Sequence, residues 1–191
     1  MKIKAIIYDC VGPLLIKKKS WRPSKIVLAI DHKCGSALND KIFWDEIKNG
    51  YGNKIIDVQA LADKIADGYK KNIQMWEFHN QIKNIYKTGI INNGTFTIFD
   101  KWSHKFKFAD NFNVMLNSAK LGIKKPDKKI FDIMYRRLGV KPGECVFIDD
   151  SKPNVIGARK AGLLSILYNP TNHPRFIKEF KKLKSNSLSK I

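Results

Sequence analysis

Three carboxylates, a lysine and an amide fall where this chain's strands should end. Residues 3–8 are β-branched and apolar enough for a strand covered on both faces; Asp9 follows, and Gly12-Pro13 then turns the chain away. Cys145-Val146-Phe147-Ile148 repeats the pattern and runs into Asp149-Asp150-Ser151. Between them Lys125 precedes Pro126, which biases the lysine out of the following helix and leaves its ammonium on the loop. A further strand over 88–91 closes at Asn92-Asn93-Gly94. Open α/β sheets gather their chemistry at the carboxyl ends of strands. Asp9, Asp149 and Asp150 with Lys125 and Asn92 are the parts of a Mg²⁺-assisted phosphoryl-transfer site: hard oxygen ligands for the cation, a lysine and an amide for the phosphoryl oxygens.

In order and spacing these motifs resemble the haloacid dehalogenase superfamily, and the resemblance covers nearly the whole chain. The family's first motif, hhhDxDGTL, stands here as Ile6-Ile7-Tyr8-Asp9-Cys10-Val11-Gly12-Pro13-Leu14. Its second, an apolar strand ending in Ser or Thr and commonly followed by Asn-Gly, stands as Gly89-Ile90-Ile91-Asn92-Asn93-Gly94. The third, a Lys-Pro-Asp run, is Lys125-Pro126-Asp127, and the fourth is Phe147-Ile148-Asp149-Asp150-Ser151 with Asn154 after it. The resemblance implies an α/β fold, a Rossmann-like parallel sheet with helices on both faces, carrying a small α-helical cap insertion. It also implies hydrolysis through Asp9 as nucleophile, with Lys125 and Asn92 on the phosphoryl group and Asn93 and Gly94 beside the substrate. Mg²⁺ would be held by Asp9, the Val11 carbonyl and Asp150, with Asp149 as a water-bridging neighbour.

The departures from the pattern bear on activity. The family's phosphatases place a second acid two residues after the nucleophile, where it protonates the leaving oxygen and activates water; this chain has Val11 there, and Pro13 where the family has Thr. Loss of a general acid-base typically costs roughly two to four decades in rate. The expectation is therefore a phosphatase for a small phosphorylated substrate with weakened acid-base catalysis. Other branches also lack that acid: dehalogenases place an aromatic there and phosphonate hydrolases an alanine, so a dehalogenase- or phosphonatase-like hydrolase is one alternative. A noncatalytic anion- or nucleic-acid-binding protein of the same fold is another.

The elements that must position these groups follow from periodicity. Residues 1–14 and 72–184 read as the core, 15–71 as the cap and 185–191 as a fraying tail. Within the cap, 24–32 reads as a helix, Asn39-Asp40 caps a second through Phe43, Trp44 and Ile47, and Asp57 caps a third through Leu61 and Ile65. Trp21, Arg22 and Lys25 lie soon after the nucleophile loop; Trp21 and Trp44 suit the cap's own small core better than a substrate. A helix over 72–82 carries His79, which reads as core or surface filler, and the aromatic stretch 94–108 reads as a helix packed on the sheet, with 112–116 the next strand.

Charge is the remaining unusual property. Lys and Arg number 36 against 17 acids, a net charge of +19, spread in runs such as Lys17-Lys18-Lys19 and Lys128-Lys129. Such a field attracts anions, phosphorylated metabolites or nucleic acid among them, yet lysine spread without one basic block favours a solvated surface. The 191 residues, 43% hydrophobic, suit one compact unit, and no apolar run of about 18 residues marks a membrane span. Cys10, Cys34 and Cys145 have neither even number nor metal spacing, which with the start of the chain points to a reducing, cytoplasmic setting.

Overall fold

The computed structural model describes residues 2–54 and 57–188. Five parallel strands form one sheet: β1 (Ala5–Asp9), β4 (Lys87–Asn92), β5 (Val114–Asn117), β6 (Cys145–Asp149) and β7 (Leu164–Leu167), in the order β5-β4-β1-β6-β7. β1 is central and pairs in parallel with β4 on one side and β6 on the other. Chain order reverses about it, the point where open parallel sheets bind ligands.

Strand alternation divides the core. In β1, Ala5 and Ile7 face one layer and Ile6 and Tyr8 the other; in β6, Cys145 and Phe147 oppose Val146 and Ile148 in the same way. After β5 the short α6 (Ser118–Leu121) leads to α7 (Lys128–Arg137), which with α8 (Lys152–Lys160) covers the smaller layer through Ile130, Phe131, Met134 and Ala158. The larger layer is covered by α4 (Ile73–Ile82), α5 (Phe96–Phe106) and α9 (His173–Leu188). Helices on both faces are what near-continuous apolar strands require. The tail is helical as far as Leu188, and residues 189–191 lie outside the described residues. Among the described residues no helix is long and apolar enough to cross a membrane.

The chain leaves the sheet after β1 and returns before α4 through a short antiparallel ladder that sequence periodicity does not reveal. β2 (Leu15–Lys17) pairs with β3 (Tyr69–Lys71), Leu15 opposite Lys71 and Lys17 opposite Tyr69. Between them lie α1 (Lys25–Cys34), α2 (Asp40–Tyr51) and α3 (Val58–Asp67); Asn39 and Asp57 cap the second and third as the sequence predicts, and Ser24, which the sequence places inside the first helix, is its cap. This unit packs on α5: Trp102 Nε1 donates to the Ala66 carbonyl at 3.3 Å, and Lys101 and Lys105 pair with Asp63 and Asp67. Trp44 is buried within the unit against Phe43, and Trp21 lies on Gly68 beside Tyr69, so both tryptophans fill packing positions.

Candidate active site

β1 and β6 end side by side, which sets Asp9 and Asp149 at the same edge of the sheet. Asp9 Oδ1 accepts from the Cys10 amide at 2.7 Å and from Lys125 Nζ at 2.6 Å. The same Nζ donates to Asp149 Oδ2 at 2.9 Å, so one ammonium bridges two strand-end carboxylates. Asp149 is fully committed: Asn154 Nδ2 also donates to Oδ2 at 3.0 Å, and the Ser151 amide to Oδ1 at 2.7 Å. Asp150 stands at the mouth of the cluster, and carboxylate oxygens of Asp9, Asp149 and Asp150 lie within 4.8 Å of one another.

Lys125 departs from the sequence expectation of an ammonium left on the loop. Its side chain is 1% exposed, drawn inward by the two carboxylates. Its backbone is clasped at both polar atoms by Asn93, whose Oδ1 accepts from the Lys125 amide at 2.9 Å and whose Nδ2 donates to the Lys125 carbonyl at 3.0 Å. On the far side Gly157 of α8 meets the loop directly; a Cβ there would stand 2.6 Å from the Pro126 carbonyl oxygen.

Three carboxyl groups share one ammonium. Burial pushes the Asp9 carboxyl up to about 7; Lys125 opposes that rise, and Asp149 and Asp150 add to it. Partial burial, then Asp149, raises Asp150 as well. Burial would depress the Lys125 ammonium, but Asp9 and Asp149 outweigh it and hold its pKa above the usual lysine value. The surplus negative charge and the all-oxygen donor set fit a hard divalent cation such as Mg²⁺.

The loop after Asp9 is folded by bonds that do not use the Val11 carbonyl. Leu15 N donates to the Cys10 carbonyl at 2.9 Å and Gly12 N to the Leu15 carbonyl at 2.7 Å, with Gly12 at φ +95°. Asn72 holds this loop from outside: its Nδ2 lies 3.0 Å from the Pro13 carbonyl, 3.4 Å from the Gly12 carbonyl and 2.9 Å from the Tyr168 hydroxyl. Sequence reasoning misses Asn72 because an Asn opening a helix reads as a cap; here it makes no side-chain cap bond and is spent on the loop instead.

Between this edge and the inserted helices lies a cavity of about 210 Å³. Val11, Asn92 and Thr95 line it from the core, and Asp31, His32 and Tyr69 from the insertion. Asn92 is buried at the cavity wall. Gly94 also lines the cavity, with its amide donating to Ser118 Oγ at 2.8 Å. His79 lies elsewhere, stacked on Phe112 in the core.

A Rossmann-like sheet whose central strand ends in an acidic cluster, roofed by an inserted helical unit, defines a class of hydrolytic α/β proteins. Residues 14–162 match the family model of haloacid dehalogenase-like hydrolases, and the chain belongs to that family. It is 32% identical over 87 residues to the glyceraldehyde 3-phosphate phosphatase of Methanothermobacter thermautotrophicus, 44% of this chain and 38% of the relative. It is 27% identical over 141 residues to (S)-2-haloacid dehalogenase 4A of Burkholderia cepacia, 71% of this chain and 61% of the relative. The matched segment thus spans less than two thirds of either curated relative. In fold it is similar to a HAD-family enzyme from Bacteroides thetaiotaomicron solved with magnesium and inorganic phosphate: TM-score 0.68, 19% identity, 87% of this chain and 93% of that one.

Proposed function

We propose that this protein is a Mg²⁺-dependent phosphohydrolase of small phosphorylated substrates, working through an aspartyl-phosphate on Asp9. The observation that carries this reading is the single Lys125 ammonium bridging Asp9 and Asp149, with Asp150 in the same cluster. That set leaves uncompensated negative charge where an anionic substrate would bind, an arrangement that makes sense with a cation.

Asp9, Asp150 and the Val11 carbonyl would hold Mg²⁺, while Asp149, its oxygens engaged, orients Lys125. Bound there, Mg²⁺ would neutralise the carboxylates and phosphoryl oxygens. Asp9 Oδ1 takes the Cys10 and Lys125 bonds, which leaves Oδ2 to attack phosphorus. The new Oδ2–P bond forms as the ester P–O bond breaks, and the departing oxygen takes its proton from water because Val11 has none to give. Water then attacks phosphorus, releasing phosphate and restoring Asp9. Lys125 and Asn92 steady the phosphoryl oxygens; Asn93 contributes by clasping Lys125, and Gly94 by shaping the turn.

A second reading draws on Val11 itself. Hydrolysis at a carbon–halogen or phosphonate bond does not require protonation of an alcohol oxygen, and a dehalogenase is among the relatives. A panel of phosphomonoesters, a phosphonate and a haloacid, with Mg²⁺ or with chelator, separates the two. Mg²⁺-dependent phosphate release from the esters supports the proposal; halide release insensitive to chelator overturns it.

A further inference from the structure

Val11 leaves the site without a side chain that moves protons beside Asp9, and the cavity that Val11 lines carries one that nothing else engages. Four titratable side chains line that cavity, Asp31, His32, Cys34 and Tyr69, all from the insertion. Three are committed. Asp31 accepts from Lys17 Nζ at 2.7 Å and from the Tyr69 hydroxyl at 2.9 Å, and the Cys34 thiol donates to the Ile30 carbonyl at 3.1 Å. Burial first, then Asp31, raises the pKa of both the Tyr69 hydroxyl and the Cys34 thiol, so neither gives up a proton near neutral pH. His32 is exposed, and no hydrogen bond, ion pair or ring contact engages its imidazole among the described residues.

The wall that carries His32 is seated on the core. Just past the end of α1 the Ser118 hydroxyl donates to the Ala37 carbonyl at 2.9 Å, and a Cβ on Gly94 would stand 3.2 Å from the Cys34 carbonyl oxygen. Asp40, which opens α2, accepts from the Phe96 and Thr97 amides that open α5. α1 therefore ends against the Asn92-Asn93-Gly94 turn, with His32 in its last turn and Val11 and Asn92 on the same cavity. The charged and titratable groups around His32 are Asp31, Lys33 and Cys34 on its own helix, Tyr69 on β3, Asp40 on α2 and the Asp9 carboxyl that precedes Val11 in the chain. A helix C-terminus favours the cationic form of a histidine, the form that can donate a proton.

We infer that His32 moves the protons of this site, in place of the acid that Val11 does not supply. The inference rests on the proposed phosphohydrolase reading and adds its proton carrier. As the ester P–O bond breaks, the imidazolium gives its proton to a water, which passes one of its own to the departing oxygen; the alcohol leaves neutral and so does the imidazole remain. As water then attacks phosphorus and the Asp9 Oδ2–P bond breaks, the imidazole takes up the proton that this water loses, and the imidazolium is restored. Transfer through one water is within the reach of general acid-base catalysis.

The test is His32→Gln, which keeps a polar side chain at an exposed position and cannot titrate, compared on two esters with Mg²⁺. Glycerol 1-phosphate departs as an alkoxide that needs a proton; p-nitrophenyl phosphate departs as a phenolate that does not. First-turnover alcohol release from glycerol 1-phosphate should fall about a hundredfold in His32→Gln, while p-nitrophenol release should change by no more than about threefold. In the parent the glycerol 1-phosphate rate should drop as pH rises through the imidazole range, and the variant should lose this alkaline limb. Beside Val11→Asp the His32→Gln loss should shrink, because the new carboxylate carries the same protons. An equal loss on both esters, no loss on either, an alkaline limb that survives in His32→Gln, or a loss undiminished beside Val11→Asp overturns the inference. Failure of the phosphohydrolase reading is distinct: the parent then releases phosphate from neither ester, which overturns both.

Discussion

Asp150 occupies the space in which Gly12 would carry a side chain: a Cβ on Gly12 would stand 2.5 Å from Asp150 Cγ. The loop after Asp9 and the outermost carboxylate of the cluster are therefore fitted to each other, and Gly12 at φ +95° is in a region that disfavours other residues. Gly12→Ala should destabilise the fold by about 1–3 kcal/mol and displace Asp150. With Mg²⁺ at a hundred times its Kd, binding should stabilise the parent by about 3 kcal/mol. That rise in Tm should vanish in Asp150→Ala and shrink in Gly12→Ala, although Gly12 carries no ligand atom. Equal melting curves with Mg²⁺ and with chelator in the parent would contradict the metal assignment.

Val11 lines the cavity two residues beyond Asp9, where the family's phosphatases carry an acid. Val11→Asp should raise phosphate release, up to roughly a hundredfold, by supplying the missing proton donor and base. Should Pro13 hold the loop out of line, the gain should appear only with Pro13→Thr added. Steady-state rates on one ester decide it, and no gain in either variant speaks against a phosphatase geometry.

Asn72 lies 59 residues from Pro13 in the chain and yet fixes its carbonyl. Asn72→Ala leaves that carbonyl without its side-chain partner and the Tyr168 hydroxyl with His173 alone, at a cost of about 1–3 kcal/mol. Because the loop presents the Val11 carbonyl, the Mg²⁺ concentration for half-maximal protection should also rise roughly tenfold or more. A loss of stability with unchanged Mg²⁺ dependence would reduce Asn72 to a packing role.

The groups that sit at strand ends were legible in the sequence because an apolar run followed by an acid is a local pattern. Asp9, Lys125 and Asp149-Asp150 are each announced by their immediate neighbours, and the caps Asn39 and Asp57 by the helices they open. What depends on distant partners was not. β2 and β3 are three residues each, too short for periodicity, and exist because Leu15–Lys17 meets Tyr69–Lys71. β7, with Ser165 within it, carries no strand signal of its own and is defined by pairing with Val146 to Asp149. Burial of Lys125 follows from two carboxylates converging on it across the fold.

His79 gives the fold an acid sensitivity separate from the cluster. It is buried, its Nε2 lies 3.2 Å from the Asn111 carbonyl, and Nδ1 has no partner among the described residues. Burial lowers its pKa to about 4, opposed by the Asn111 bond and aided by Lys83 and Lys71. The unfolded chain takes up this proton near pH 6.5 and the folded chain only near 4, so the stability is full above 6.5 and is lost as pH falls through that window, up to about 3 kcal/mol. His79→Gln, which keeps an amide donor toward Asn111, should flatten the decline between pH 6.5 and 4 in denaturant titrations. An identical decline in both proteins would remove His79 as its source.

Whether Asp9 carries the phosphoryl group during turnover can be read by intact-protein mass spectrometry. The protein is mixed with p-nitrophenyl phosphate and Mg²⁺ and quenched in acid during turnover. Transfer to Asp9 should add mass equal to one phosphoryl group, located to the peptide that contains Asp9, lost with chelator and lost in Asp9→Asn. Phosphate release that continues in Asp9→Asn at the parent rate, with no adduct on that peptide, would contradict it.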